Sequence, residues 1–215
     1  MSPPPDHIAD PRDAAPDTVP FNRPLREGQL VAGRYRVQEM IARGGQALIY
    51  RAEQQTLQRS VALKVIGLSV DSLDSDHKRF RDRFELEART LAALDHPHIV
   101  RVHDFGPIGQ MAFYFAMEFI QGASMSRVLR NEEISIGEAL RLMQEVMSAL
   151  QYAHDNGVIH RDMKFSNVLI SRNLNGQRVA KVIDFGIAKV SDTGDSITQR
   201  GDVLGSPHFM SPEQI

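Results

Sequence analysis

The segment of residues 158–170 constrains the fold of this chain most, because it sets a cluster of polar residues between two short apolar runs. The runs Val158-Ile159 and Val168-Leu169-Ile170 predict buried strand segments. The polar residues between them are His160, Arg161, Asp162, Lys164 and Asn167. Packing alone does not explain so many charges between apolar anchors. A turn that is held at both ends can keep a carboxylate, an ammonium group and an amide close together in a fixed geometry.

A second segment ends in an acidic residue. The run of residues 179–183 is mainly apolar, and Asp184, Phe185 and Gly186 follow it. Together with the first segment it resembles the catalytic loop, H-R-D-x-K-x-x-N, and the metal-binding D-F-G motif of a eukaryotic-type protein kinase. The alternative is that Asp162 and Asp184 are turn residues or a glycosidase-like carboxylate pair. That interpretation leaves the lysine and the asparagine of the first segment unexplained.

The resemblance extends from about Gly33 to the last residue, and it depends on separate motifs that occur in the family's order. Lys64 lies in a V-A-x-K run, and a Ser-Pro-Glu sequence at residues 211–213 follows the D-F-G. The sequences of these motifs most resemble those of bacterial serine/threonine kinases. The resemblance implies an α+β fold with two lobes. The N-lobe is an antiparallel sheet with one helix, named αC in this family, and the C-lobe is partial and mainly helical.

Three segments follow from this interpretation. Residues 1–27 are rich in Pro, Asp and Ala and are predicted to be a disordered arm, either a solvated leader or a docking tail. Residues 28–120 form the predicted N-lobe, and residues 121–215 form the partial C-lobe. Because the chain ends soon after the activation segment, we expect a fragment of a longer kinase or a truncated product. The helix predicted near residues 136–156 is then expected to expose apolar side chains.

The resemblance implies ATP and Mg²⁺ as cofactors and assigns a role to each candidate site residue. The catalytic residues are Asp162, which accepts the proton of a substrate hydroxyl, Lys164, Lys64 and Glu87. The metal ligands are Asn167 and Asp184, whose oxygen atoms suit a hard cation. The residues expected around the nucleotide are Ile41, Gly44, Gly45, Ile49, Ala62, Lys64, Met117, Glu118, Ile120 and Leu169.

Two of these assignments have local alternatives. A helix from about Lys78 to Leu94 is predicted to place Glu87 near its inward face, where it pairs with Lys64; otherwise Glu87 is one more exposed acid. The glycine-rich loop keeps only the central glycine of the family pattern, because Ala42 and Ala47 occupy the outer positions. We expect ATP binding to persist. The alternative is that this loop is an ordinary hairpin turn without a role in binding.

Composition excludes several classes of function. The net charge of −2 gives no basic footprint for nucleic acid, and the absence of cysteine rules out disulfides and thiolate zinc sites. His96, His98 and His103 fit no strong zinc spacing, so a structural role is favoured for them. Because no apolar run approaches the length of a membrane span, we expect a cytoplasmic protein without a span in this chain.

The predicted function is transfer of the ATP γ-phosphate to serine or threonine hydroxyls of protein substrates. In the family, lysine at the position of Lys164 is typical of serine/threonine kinases. Autophosphorylation of Thr193, Ser196 or Thr198 is expected to order the activation loop through Arg161. One alternative is a catalytically impaired, pseudokinase-like nucleotide-binding module, and another is a small-molecule kinase, which residues 205–213 disfavour. The sequence also allows the possibility that the chain forms a homodimer.

Overall fold

In a computed structural model of the chain, the described residues are 24–44, 47–67, 74–109 and 112–185, without the side chains of residues 74–80 and 83. Predictions for the remaining residues lie outside this part of the chain. They concern Gly45, Gly186, most of the N-terminal arm and the whole activation segment, including its candidate phosphorylation sites.

The N-terminal half forms a six-stranded antiparallel sheet with the strand order β1-β2-β3-β4-β6-β5. The two-residue period of a strand is visible in the burial of β3, where Leu48, Tyr50 and Ala52 are buried and the residues between them are half-buried. The strands are β1 (Leu30–Val31), β2 (Tyr35–Arg43), β3 (Ala47–Gln54), β4 (Arg59–Gly67), β5 (Val102–Ile108) and β6 (Ala112–Glu118).

Helix α1 (Asp74–Ala92) packs on this sheet through aromatic contacts. The ring of Phe84, which is 1% exposed, lies 4.3 Å from the ring of Phe113 and 4.8 Å from that of Phe115. The helix begins four residues earlier than predicted. Its first turn carries no apolar residue, so the hydrophobic period could not reveal it.

The C-terminal half combines two helices with a small antiparallel sheet of order β7-β8-β9. Its elements are β7 (Gly122–Ser124), α2 (Met125–Asn131), α3 (Ile136–Asp155), a 3₁₀ turn (Phe165–Asn167), β8 (Val168–Arg172) and β9 (Arg178–Val182). A Cβ atom at Gly122 would lie 2.1 Å from the carbonyl oxygen of Ile170, so only glycine allows β7 and β8 to approach this closely.

Helix α3 has the predicted ends. The hydroxyl of Ser135 accepts a hydrogen bond from Glu138 N at 3.2 Å, which caps the first turn, and Gly157 follows the helix with φ +75°. One face of α3 is buried: Leu142, Val146, Ala149 and Ala153. The opposite face exposes apolar residues, as expected from the sequence: Ile136, Leu140, Met143 and Met147.

Two sequence predictions about chain segments are wrong. Val158-Ile159 forms no strand, and Ile159 is 63% exposed. Val158 N instead donates to Ala153 O at 2.9 Å and so continues the end of α3. The arm also ends earlier than residue 27, because Leu25 is buried and its N–H donates to Tyr50 Oη at 3.0 Å. A single large apolar side chain is enough to bring this short segment into the core.

A half-buried carboxylate ties β2, β5 and β6 together. Asp104 Oδ2 accepts hydrogen bonds from Tyr35 Oη at 2.8 Å and from Tyr114 Oη at 3.0 Å, and Arg34 Nη1 lies 3.3 Å away. Burial, reinforced by the nearby carboxylate, raises the pKa of Tyr114 to about 12 and also raises the pKa of Tyr35. Both phenols therefore stay protonated in the folded protein at pH values where free tyrosine ionises.

We expect this cluster to make the N-terminal sheet sensitive to alkali. Above the ordinary tyrosine pKa of about 10, the unfolded chain loses protons that the folded chain keeps, so the free energy of unfolding falls as pH rises toward 12. Thermal melts followed by circular dichroism between neutral pH and pH 12 measure this decline. The variant Tyr114→Phe should decline less steeply than the wild type, and an equally steep decline would show that the cluster is not responsible.

The predicted α+β class with two lobes and an antiparallel N-terminal sheet is confirmed. The lobes meet where the backbone of residues 98–101 contacts both β6 and β9: Glu118 N donates to Arg101 O, and Val100 N donates to Val182 O, each at 2.9 Å. Within the described ranges, no helix has both the length and the apolar character needed to cross a membrane.

Candidate active site

The polar loop before β8 holds the predicted catalytic residues in one hydrogen-bonded group. Lys164 Nζ lies 2.8 Å from Asp162 Oδ2. Asn167 Nδ2 donates to Asp162 O at 2.8 Å and reaches Asp162 Oδ2 at 3.3 Å. These contacts orient the amide of Asn167 and leave its Oδ1 oxygen for another partner. The loop thus brings a carboxylate, an ammonium group and an amide together, as the sequence predicts.

His160 anchors this loop to the residue before Asp184. It is 2% exposed, and its Nδ1 accepts a hydrogen bond from Asp162 N at 3.3 Å. Because Nδ1 is the acceptor, Nε2 carries the proton and donates to Ile183 O at 2.9 Å. Burial lowers the pKa of His160, so the neutral imidazole is favoured.

Lys64 and Asp184 form an ion pair between the two lobes. Lys64 Nζ lies 2.8 Å from Asp184 Oδ1, and Lys64 is 6% exposed. A buried ammonium group requires such a partner, because removing it from water without one costs several kcal/mol. Asp184 has φ +60°, a left-handed conformation that aspartate adopts more readily than most residues. Its second carboxylate oxygen is not used by this ion pair.

The register of β8 and β9 brings Asn167 and Asp184 to the same end of the small sheet. Val168 pairs with Val182, so Asn167 precedes one strand where Asp184 follows the other. Ile183 N also donates to Asn167 O at 2.9 Å. Since Asn167 contacts Asp162, the two acids from separate turns belong to one connected site.

Glu87 lies on α1, on the side that faces the segment after α3. It lines a cavity of about 210 Å³ together with Leu91, Arg161 and Phe185. Phe185 is buried there, with its ring 4.8 Å from that of His160. The pairing of Glu87 with Lys64 stays a prediction, whereas the ion pair of Lys64 with Asp184 is present.

Four of the residues expected around the nucleotide share one face of the N-terminal sheet. Ala62 and Lys64 lie two residues apart on β4, and their cross-strand partners are Met117 on β6 and Ile49 on β3, respectively. Since side chains alternate between faces, these four lie on the same side. Met117 is buried, whereas Ala62 and Ile49 are half-buried.

The remaining nucleotide candidates lie on other parts of the chain: Ile41 on β2, Ile120 after β6 and Leu169 on β8 of the small sheet. Ile41 on β2 is 48% exposed, and Ile120 and Leu169 are half-buried. Gly44 N donates to Ala47 O at 2.8 Å and so begins the turn between β2 and β3. The assignment of all these residues to a nucleotide stays a prediction.

One contact between the two lobes, at the end of β6, was not predicted from the sequence. Lys181 Nζ on β9 lies 2.5 Å from Glu118 Oε2, at the end of β6. The pair joins the strand that leads to Asp184 with the segment expected to hold the adenine. Its signal in the sequence is that Lys181 is a single lysine within an apolar run, as Lys64 is.

The histidines between α1 and β5 have structural partners. His96 stacks on Tyr152 with ring centroids 5.2 Å apart, and its Nε2 lies 3.2 Å from Ser148 Oγ. His98 Nδ1 lies 2.9 Å from Ala180 O. Among the residues that the structure describes, no group of three or more His, Cys, Asp or Glu side chains could hold a metal ion. The structural interpretation of His96 and His98 therefore fits these contacts.

Three features together define the eukaryotic-type protein kinase class. They are a curled sheet with a paired lysine, a loop with linked aspartate and asparagine, and an acidic residue after β9. The family model for the protein kinase domain matches residues 35–215, and the chain belongs to that family. This confirms the predicted membership.

Relatives of the chain are bacterial serine/threonine kinases. The serine/threonine-protein kinase pkn3 of Myxococcus xanthus is 39% identical over 191 residues, which cover 87% of this chain and 34% of that protein. PrkC of Bacillus subtilis is 37% identical over 188 residues, which cover 87% of this chain and 28% of that protein. The chain thus spans about a third of the length of these relatives.

A solved structure shows the same fold. The kinase domain of PknI from Mycobacterium tuberculosis matches with a TM-score of 0.64 at 30% sequence identity. The match covers 80% of this chain and 70% of that chain. The likeness therefore includes most of the residues described above.

The side chains of the site fit the cofactors that the family uses. Mg²⁺ prefers oxygen ligands and keeps several waters, so one carboxylate, one amide oxygen and the phosphates of a nucleotide are a sufficient set. Asp184 and Asn167 have oxygens of this kind, and the ammonium groups of Lys64 and Lys164 have the charge that suits phosphate groups. Their assignment to a metal ion and a nucleotide stays a prediction.

Proposed function

We propose that this chain is the catalytic part of a serine/threonine protein kinase that transfers the γ-phosphate of ATP to hydroxyl groups of proteins. The observation that carries the proposal is the connected group formed by Asp162, Lys164 and Asn167 and by the Lys64–Asp184 pair. The membership of the chain in the protein kinase domain family supports it.

Each side chain has a role that its contacts support. Asp162 accepts the proton of the substrate hydroxyl, and the ammonium group of Lys164, 2.8 Å from it, balances charge on the transferred phosphate. Bound Mg²⁺ neutralises the charge of the nucleotide phosphates, and Asn167 and Asp184 are the residues that would hold it. Lys64 orients the phosphates, and Glu87 supports Lys64 from α1.

The nucleotide, partners and compartment complete the proposal. The apolar face formed by Ile49, Ala62 and Met117 takes the adenine, with Ile41, Ile120 and Leu169 at its edges. The backbone of Glu118 to Ile120 forms hydrogen bonds with it, and Gly44 and Gly45 cover the phosphates. The substrates are proteins with accessible serine or threonine. The kinase acts in the cytoplasm, it phosphorylates its own activation loop, and it is able to form a homodimer.

Incubation of the chain with Mg²⁺, radiolabelled ATP and a general acceptor protein such as casein tests the activity. We expect label on the acceptor or on the chain itself, and phosphoamino-acid analysis should find phosphoserine or phosphothreonine. Label found only on small molecules would favour a small-molecule kinase instead.

The main alternative is a pseudokinase-like module that binds a nucleotide without transferring phosphate. Thermal stabilisation by Mg-ATP, measured beside the transfer assay, separates the two functions. Binding without any transfer would favour the module, whereas binding with transfer supports the kinase.

A further inference from the structure

The outer edge of β9 is bonded by side chains where a sheet would normally place another strand. Arg141 Nη2, from α3, donates to Arg178 O at 2.7 Å. One turn further along the same helix, Glu145 Oε2 accepts from Ala180 N at 2.8 Å. His98 Nδ1 lies 2.9 Å from Ala180 O and donates to it, since a carbonyl oxygen can only accept.

Backbone groups continue this edge toward Asp184. Val182 N donates to His98 O at 2.8 Å, and Val182 O accepts from Val100 N at 2.9 Å. The next residue, Ile183, is held by Asn167 through its N–H and by His160 through its carbonyl group, each at 2.9 Å. From Arg178 to Ile183, a continuous series of hydrogen bonds therefore fixes the register of the strand.

Glu145 is the central member of this series. Its side chain is 14% exposed, and its second oxygen, Oε1, is paired with Arg141 Nη1. The same carboxylate thus binds a backbone amide of β9 and orients the arginine that binds the next outward carbonyl. A largely covered carboxylate is unusual beside a helix face that buries Leu142, Val146 and Ala149. Packing alone would be served by an apolar residue, so its hydrogen bonds are the reason for its presence.

We propose that Glu145 is a positioning residue that sets the register of β9 and thereby the location of Asp184 and its metal-binding oxygen. The inference rests on the proposed kinase function, because it assigns the role of metal ligand to Asp184. Asp184 has a left-handed backbone conformation, φ +60°, which a strand free to shift would not hold in place. Loss of a residue that contacts a metal ligand directly lowers metal affinity or activity by about 10- to 100-fold. Glu145 acts on Asp184 only through β9, so this range is the upper bound for its effect.

The test compares Glu145→Ala with Glu145→Gln in the whole chain. The readouts are the affinity for ATP at a series of Mg²⁺ concentrations, measured by calorimetry, and the hydrogen exchange rate of the Ala180 amide. Glu145→Ala should weaken Mg-dependent binding, by up to about 100-fold, and accelerate exchange at Ala180. Glu145→Gln keeps a carbonyl oxygen for the Ala180 amide, so it should restore most of both quantities.

Glu138→Ala is the matched control. Glu138 lies on the same helix and pairs with the side chain of Arg178 at 2.8 Å, without a bond to the β9 backbone. It should lower stability without changing the Mg²⁺ dependence. If Glu145→Ala fails to fold, His98→Ala removes the neighbouring donor to Ala180 O and should shift both readouts in the same direction.

The outcomes separate this inference from the proposed function. A wild-type chain that binds no Mg-ATP would overturn the proposed function and the inference with it. A wild type that binds, together with a folded Glu145→Ala variant that binds equally well at every Mg²⁺ concentration, would overturn only the inference. An equal loss in Glu138→Ala would also overturn it, because general destabilisation would then explain the effect.

Discussion

Asp162→Asn is expected to lower the rate of phosphoryl transfer by about 10²- to 10⁴-fold, the usual contribution of a general base. The asparagine side chain has nearly the same shape, and its oxygen can still accept from Lys164, which lies 2.8 Å from Asp162 Oδ2. It cannot take up the proton of a hydroxyl group at neutral pH. The fold and nucleotide binding should therefore persist while transfer is lost.

Single-turnover transfer of radiolabelled phosphate measures this effect, with thermal stability and ATP affinity measured in parallel. Asp155→Asn is a suitable control, because Asp155 ends α3 and accepts a hydrogen bond from Gln151 Nε2 at 2.8 Å, outside the site. Its rate should equal that of the wild type. Undiminished transfer by Asp162→Asn would remove Asp162 from the role of base.

Asp184→Asn should have a comparable effect through the metal ion. The loss should exceed the roughly 10- to 100-fold change that follows removal of an outer-shell partner, because Asp184 is itself the proposed ligand. The substitution also removes the negative partner of Lys64, which is 6% exposed and then lacks this compensating charge. We therefore expect a lower melting temperature and a loss of Mg²⁺-dependent ATP binding together.

Lys64→Met separates the two consequences. It removes the buried cation instead of the proposed metal ligand, so it should weaken ATP binding and leave a Mg²⁺ dependence detectable. Titration of ATP with and without Mg²⁺ in both variants provides the comparison. Equal Mg²⁺ dependence in Asp184→Asn and the wild type would show that the metal is held elsewhere.

The sequence predicted which polar side chains of the loop before β8 lie close together, because they belong to one short motif. Lys64 interrupts an apolar strand, and Asp162 and Asn167 lie in one polar turn. Lys64 Nζ lies 2.8 Å from Asp184 Oδ1, and Asn167 Nδ2 lies 2.8 Å from Asp162 O. The sequence shows the order of these residues along the chain, whereas the structure shows which of them are in contact.

The contacts that depend on tertiary structure could not be predicted. Glu145 binds Ala180 and Lys181 binds Glu118, and these partners are 35 and 63 residues apart. Ile159 was expected in a buried strand because its neighbours are apolar, but the turn after Gly157 leaves it 63% exposed. Hydrophobicity in such short segments does not reveal which side of the chain the core will occupy.

The phenol cluster around Asp104 has a practical consequence for spectroscopy. The chain contains four tyrosines and no tryptophan, and Tyr35, Tyr50 and Tyr114 all lie in the core of the N-terminal sheet. Ultraviolet absorbance and intrinsic emission will therefore report mainly on one lobe during denaturation. Far-ultraviolet dichroism reports on α1 in that lobe and on α2 and α3 in the other. A difference between the two unfolding curves would therefore show that the halves of this chain melt separately.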